Sequence, residues 1–235
     1  MTPAHMETRK LLLLSSSTVW GSGYLDWAEP AIRAALGHAR HVAFVPFAAH
    51  DHDRYATTAR QRFAAMGYAL HSLHDTPASL ADADALFVGG GNTFRLVAAL
   101  HHRALIEPIR AFVASGRAFV GSSAGSIVAC PTMQTTKDMP AVEPPSFRAL
   151  DLVPFQISPH FQDPDPSSRH MGETQEQRIG HYHEDNERVV VGLREGSALS
   201  VMGDAVTLLG THTARVFHKA QPPRELPPGR IEHAL

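Results

Sequence analysis

The chain has 235 residues, 43% hydrophobic and 19% charged, a length that suits one large α/β core and a balance that excludes wholesale disorder and collagen-like repeats. Its 21 Lys and Arg against 23 Asp and Glu give a formal charge of -2, so it lacks the basic field that phosphate-backbone binding demands, and no nucleic-acid partner is expected. A single cysteine, Cys130, leaves neither a disulfide framework nor a multi-cysteine zinc site and fits a reducing compartment.

The opening stretch 1–8 is polar, and the apolar run Leu11-Leu12-Leu13-Leu14 is too short for a secretory segment or a membrane span. The reading is therefore a cytoplasmic protein with no membrane partner. Apolar runs at 10–15, 41–47, 68–72, 85–88 and 118–121, ending at Gly, Ser or Pro or close to one, read as buried strands. Between them, 53–66, 92–100 and 105–114 carry apolar residues at helical spacing, as crossover helices do. Together they predict an α/β fold: a doubly wound, mostly parallel sheet with helices on both faces. The stretch 140–166 is broken by seven prolines and reads as loop, the kind of segment that carries sites. A helix at 172–183 follows, then strands at 188–193, 198–202, 205–209 and 214–218 joined by tight turns such as Gly203-Asp204, which suggest a C-terminal antiparallel extension. The tail 221–235 holds four of the 17 prolines and reads as extended or frayed, like 1–8, within one domain spanning 1–235.

Two strand-to-helix junctions carry the chemistry. Gly89-Gly90-Gly91-Asn92-Thr93-Phe94 sets three glycines where backbone can approach a ligand and present amides, with Asn92 or Thr93 capping the helix. It has neither the spacing of a dinucleotide loop nor the Lys-Ser/Thr ending of a phosphate loop, which favours an oxyanion or substrate loop over a phosphate cradle. The plain alternative is a glycine-rich capping turn. Gly121-Ser122-Ser123-Ala124-Gly125 follows a buried strand and precedes a helical run, the context of a nucleophile elbow with Ser123 at its tip. A Ser/Gly-rich turn without chemistry is the competing reading.

A hydroxyl nucleophile needs a base, and among 16 histidines His160 stands out. It ends the strand-like run Gln156-Ile157-Ser158-Pro159, where the proline restricts the backbone. The clusters His50-Asp51-His52-Asp53 and His181-Tyr182-His183-Glu184-Asp185 look like solvated helix ends rather than ligand sets, so no metal is expected. Cys130 reads as a buried core thiol rather than a nucleophile.

With these residues in place, the chain resembles peptidase E, the aspartyl dipeptidases, a serine-peptidase family with a class I glutamine-amidotransferase-like fold. The resemblance runs in order through Leu11 to Ser15, Phe44-Val45-Pro46-Phe47-Ala48, the Gly89 loop, Ser123-Ala124-Gly125, Cys130-Pro131-Thr132, Asp138-Met139-Pro140, Pro159-His160-Phe161, Gly172-Glu173-Thr174 with Glu176-Gln177-Arg178, and Gly192-Leu193 with Glu195-Gly196. It implies that Ser123 is the nucleophile, that His160 is the base, and that either Asp138 or Glu195 orients the histidine. Glu195 is preferred because a carboxylate leaving a strand end is firmly held. It further implies oxyanion donors at Gly91 and Ala124, substrate contacts from Asn92, Glu173, Gln175 and Arg178, a small-peptide substrate, no cofactor, and a monomer or homodimer.

Two departures bear on selectivity. Family members such as the enteric enzymes carry arginine after Gly-Glu-Thr, where this chain has Gln175; Arg178 or Arg169 is then left to meet a substrate carboxylate. Ser122 replaces a tryptophan in the elbow and is expected to alter the pocket. The expected activity is hydrolysis after an N-terminal aspartate. A cyanophycinase-like or other small-peptide serine hydrolase, or a silent binding module on the same scaffold, are the alternatives.

Overall fold

The run of four leucines forms β1 (Lys10–Leu14) near the middle of an eight-stranded sheet. The structure, a computed structural model, describes residues 9–75, 80–165, 167, 169 and 171–235, so the opening stretch 1–8 lies outside the described residues. Because strand side chains alternate, Leu11 and Leu13 enter one core while Leu12 and Leu14 enter a second on the opposite face. β2 (His41–Val45), β3 (Ala69–Ser72), β4 (Ala85–Val88) and β5 (Ala118–Ser122) join β1 in parallel, in the order β1-β5-β4-β2-β3. α3 (Thr93–His102) and α4 (Ile106–Ala114) close the first core through Leu96, Leu100, Ile109 and Phe112. α1 (Glu29–Leu36) and α2 (His52–Ala65) close the second through Ile32, Leu36, Ala59 and Phe63. Helix α1 escapes the sequence reading because it is short and buries only Ile32 and Leu36 fully, too sparse a stripe to register as a period.

The expected antiparallel extension is real but divided between two sheets. β8 (Ala198–Met202) pairs antiparallel with β1 and continues into β9 (Ala205–Leu209) through the Gly203-Asp204 turn. β7 (Val190–Leu193) and β10 (Ala214–Phe217) instead join β6 (Gln156–Ser158) and β11 (Arg224–Leu226) in a four-stranded sheet of order β11-β10-β7-β6. Ile157, Val191, Leu193 and Val216 of this sheet share the first core with the main sheet, bridged by Val128, Ala129, Leu150, Leu152 and Phe155 of the long connection after β5. Helix α6 (Gln175–Asp185) begins later than expected because Thr174 caps it, accepting from Gln177 N–H while the Gln177 side chain accepts from Thr174 N–H.

The tail is not frayed. Its prolines flank β11 rather than interrupt it, β12 (Gly229–Arg230) pairs with β9, and Leu226, Ile231 and Ala234 are buried in the first core.

Candidate active site

β5 delivers Ser123 to the carboxyl edge of the main sheet at φ 53°, ψ -111°, a left-handed conformation that a serine adopts only under constraint. Close packing supplies that constraint. A Cβ on Gly121 would lie 2.5 Å from the Gly125 carbonyl oxygen, and a Cβ on Gly125 would run into the carbonyl of Val88 on the neighbouring strand. The Ser123 N–H donates to Leu14 O at 3.0 Å. The buried Ser126 hydroxyl lies within hydrogen-bonding distance of the Leu14 and Gly121 carbonyls, at 2.7 and 3.0 Å. The helix that follows, α5 (Ala124–Ile127), is a single turn, shorter than the apolar run suggested. Ser122 is wholly buried in β5, within the packed interior.

The glycine loop after β4 lies against this turn: a Cβ on Gly90 would meet Ser122 O at 3.0 Å and Ser123 Cβ at 3.1 Å. Gly91 has φ 136°, and a Cβ there would stand 2.6 Å from Ala48 O. Among the described residues, no backbone acceptor takes the N–H of Gly91 or Ala124. Asn92 is turned to a structural task. Its Oδ1 accepts from Arg95 N–H, capping α3, and its Nδ2 donates to Met139 O.

β6 delivers the imidazole. His160, also left-handed at φ 51°, brings Nε2 to 2.8 Å from Ser123 Oγ, and its Nδ1 lies 2.9 Å from Glu195 Oε1. The parallel pairing of β6 with β7, with Ser158 opposite Gly192, sets the two strand exits side by side, and Phe161 N–H donates to Leu193 O at 2.9 Å. His160 and Glu195 are 38% and 49% exposed, so their contact is open to solvent screening. Asp138 is engaged elsewhere: its Oδ2 accepts from Thr93 N–H at 2.7 Å, Thr93 Oγ1 at 2.6 Å and Thr136 Oγ1 at 3.0 Å. It fastens its loop to the start of α3, while Glu195 is the acid beside the ring.

Beyond the histidine, Gln175 donates from Nε2 to His160 O at 3.1 Å and accepts from Gln162 N–H, holding the loop rather than offering a cation. Glu173 and Arg178 are exposed and 3.7 Å apart, and Arg169 is exposed in the loop before α6. A cleft of about 400 Å³ lined by Phe94, Met133, Phe147, Arg178 and Tyr182 adjoins a recess of about 50 Å³ lined by Lys137, Ser158, Gln175 and Arg178. Lys137 is the residue the sequence reading passed over. Its Nζ donates to Pro159 O at 2.8 Å and His160 O at 3.1 Å, and its only signal was its place next to Asp138. Cys130 is buried, and burial pushes its thiol well above the ordinary range, as suits a core residue. Of the histidine clusters, Asp53 meets His74 and Asp75 with ligand atoms within 4.8 Å, an arrangement in which Arg60 already pairs with Asp75.

The family model described as peptidase family S51 matches residues 11–209. A Streptomyces coelicolor protein named "Peptidase E" is 48% identical over 222 residues, covering 93% of this chain and 91% of that protein. A Drosophila melanogaster "Probable alpha-aspartyl dipeptidase" is 44% identical over 226 residues, covering 94% of each. Among solved structures, a putative peptidase E protein from Listeria monocytogenes EGD-e aligns with TM-score 0.66 at 22% identity, over 86% of this chain and 98% of that one. A peptidase from an acI-B1 Actinobacterium aligns with TM-score 0.68 at 17% identity, over 93% and 94%. At those identities the two structures speak for the fold alone. The sequence matches speak for descent: over nearly the whole length that carries the serine, the histidine and both acids, the chain belongs to peptidase family S51.

Proposed function

We propose that this chain is a serine dipeptidase that cleaves the peptide bond after an N-terminal aspartate, with Ser123 as nucleophile, His160 as general base and acid, and Glu195 as the group that orients the imidazole. The observation that carries the reading is the unbroken contact line Ser123 Oγ–His160 Nε2 and His160 Nδ1–Glu195 Oε1, at 2.8 and 2.9 Å. With Nδ1–H donating to Glu195, Nε2 is left as the acceptor for the serine proton. Ser123 then attacks the scissile carbonyl, His160 takes the hydroxyl proton and returns it to the leaving amine, and water releases aspartate from the acyl-enzyme by the same relay. The oxyanion is received by the uncommitted amides of Gly91 and Ala124, a kind of donor whose loss costs ~10²-fold or more in rate. Asp138 shapes the loop, and Asn92 supports it.

The aspartate assignment rests on kinship with a protein named as an alpha-aspartyl dipeptidase and on the cations gathered beside His160. No described helix is long and apolar enough to cross a membrane, and the reading takes the enzyme as a cytoplasmic monomer or homodimer acting on small peptides. The test is turnover of Asp-Leu, Ala-Leu and Glu-Leu by the wild type and Ser123→Ala. The expected result is preference for Asp-Leu, with hydrolysis and fluorophosphonate labelling both lost in the variant. Equal turnover of all three dipeptides removes the aspartate claim, and wild-type activity in Ser123→Ala removes the nucleophile.

A further inference from the structure

We propose that Lys137, with Arg178 beside it, is the receptor for the acidic side chain of the substrate's N-terminal residue. The inference rests on the dipeptidase reading and adds to it the residue that selects aspartate. It starts from donors. An ammonium carries three N–H groups, and those of Lys137 meet two acceptors, the carbonyls of Pro159 and His160. Among the described residues no further acceptor is in place, so one donor remains for a ligand. Both occupied acceptors belong to the turn that presents the imidazole, which fixes the ammonium relative to the reacting atoms.

The local charge balance points the same way. The acids around this ammonium are committed: Glu195 to the His160 ring, Asp138 to Thr93 and Thr136, and Glu173 lies nearest Arg178 at 3.7 Å. Lys137 and Arg178 line the same recess, and the charge of Arg178 bears on the ammonium, so a carboxylate entering there meets two cations. The recess measures about 50 Å³. At ~10–15 Å³ of such volume per water, it holds a group a few waters in size, which suits one carboxylate and not a second residue. Although Lys137 as a whole is exposed, its ammonium is turned inward; the resulting desolvation and the charge of Arg178 hold its pKa down to about 8, against the upward pull of Asp138 and Glu195.

The discriminating measurement is kcat/KM for Asp-Leu and for Asn-Leu, which differ only in the charge of the first side chain. In Lys137→Met the preference for Asp-Leu over Asn-Leu is expected to fall by about 30-fold or more, the scale on which removal of one partner of a desolvated charge pair is felt; whatever the loss of its two bonds to the His160 turn does to turnover is shared by both dipeptides and leaves the ratio unchanged. A second readout needs no variant. In the wild type the same preference should decline as pH rises through about 8, where the ammonium loses its proton, once the rate for each dipeptide is corrected for the separately titrated amine of that substrate, which the aspartate carboxylate shifts. A loss shared equally by both dipeptides in Lys137→Met would make the lysine only a clamp on the His160 turn, and a wild-type preference flat to pH 10 would also overturn the proposal. A wild type that prefers neither dipeptide refutes instead the aspartate reading on which the inference stands.

Discussion

Replacing Glu195 by glutamine keeps the side chain's size and removes its charge, so it asks how much the carboxylate contributes to the imidazolium formed at His160 in the transition state. Two unit charges ~4 Å apart are worth about 4 kcal/mol at an effective dielectric constant of 20. Here the pair is part open, His160 38% and Glu195 49% exposed, and screening reduces the useful interaction to about 2–3 kcal/mol, the scale of a hydrogen bond to a charged group. At 1.36 kcal/mol per factor of ten, Glu195→Gln should lower kcat for Asp-Leu by ~30- to 150-fold. That is well short of the ~10⁴-fold seen when a buried triad aspartate is neutralised.

The matched control is Asp138→Asn. Asp138 accepts three hydrogen bonds that tie its loop to α3 and none from the imidazole. Weakening this charged acceptor should lower stability by ~1–3 kcal/mol and leave kcat within a few-fold of wild type. Steady-state kinetics with Asp-Leu, paired with thermal unfolding of each variant, separate the two effects. If Asp138→Asn abolished turnover at unchanged melting temperature while Glu195→Gln stayed fully active, the assignment of the relay from geometry would be wrong.

Three further outcomes follow from the same packing. Ser123→Gly should eliminate hydrolysis yet leave the melting temperature within about 4 °C of wild type, because relief of a backbone strain of order 1–3 kcal/mol offsets glycine's greater unfolded-state entropy and the loss of the Oγ–Nε2 contact; calorimetry showing a larger decrease contradicts this. Gly125→Ala places a Cβ into the Val88 carbonyl, a backbone clash with no side chain free to yield, and should cost about 3 kcal/mol or more in urea unfolding. A midpoint equal to wild type would show the elbow to be looser than described. Ile231→Ala, in a tail residue only 1% exposed, should cost about 2–4 kcal/mol; a surface-like effect below about 0.5 kcal/mol would show the tail to be frayed.

The parallel half was legible in the chain because both faces of its strands are buried, so continuous apolar runs such as Leu11 to Leu14 announce themselves without needing alternation. The elbow was legible for a different reason: Gly121 and Gly125 are small because backbone lies against them, and that demand leaves a fixed spacing. The division of the C-terminal strands was not legible, since local pattern says that β7 and β8 are strands but not which sheet each will join. Which of the two states, extended or frayed, the tail adopts was not legible, because its order comes from pairing with β9 and from burial of Ile231, both long-range. Lys137 carried no signal beyond its place next to Asp138. A lysine in a polar loop looks solvated until the fold brings the carbonyls of Pro159 and His160 to its ammonium.

The serine and histidine of the proposed relay follow strands of different sheets, and each has a positive φ, Ser123 at 53° and His160 at 51°. Such residues cost of order 1–3 kcal/mol apiece and persist only where their surroundings over-determine them. On the serine side the holding groups are Leu14 O, Ser126 and the two elbow glycines; on the histidine side they are Lys137, Gln175 and the carbonyl of Leu193. Neither set spans the 2.8 Å between Oγ and Nε2. That spacing is set by the shared core, where Leu152, Phe155 and Ile157 pack in the same cluster as Leu13 and Val88 of the main sheet. Close-packed interiors transmit displacement rather than absorb it, so a volume change at the buried Phe155 is expected to act on the serine–histidine distance before it acts on either residue's own turn, lowering kcat for Asp-Leu in Phe155→Leu by more than its loss of stability accounts for.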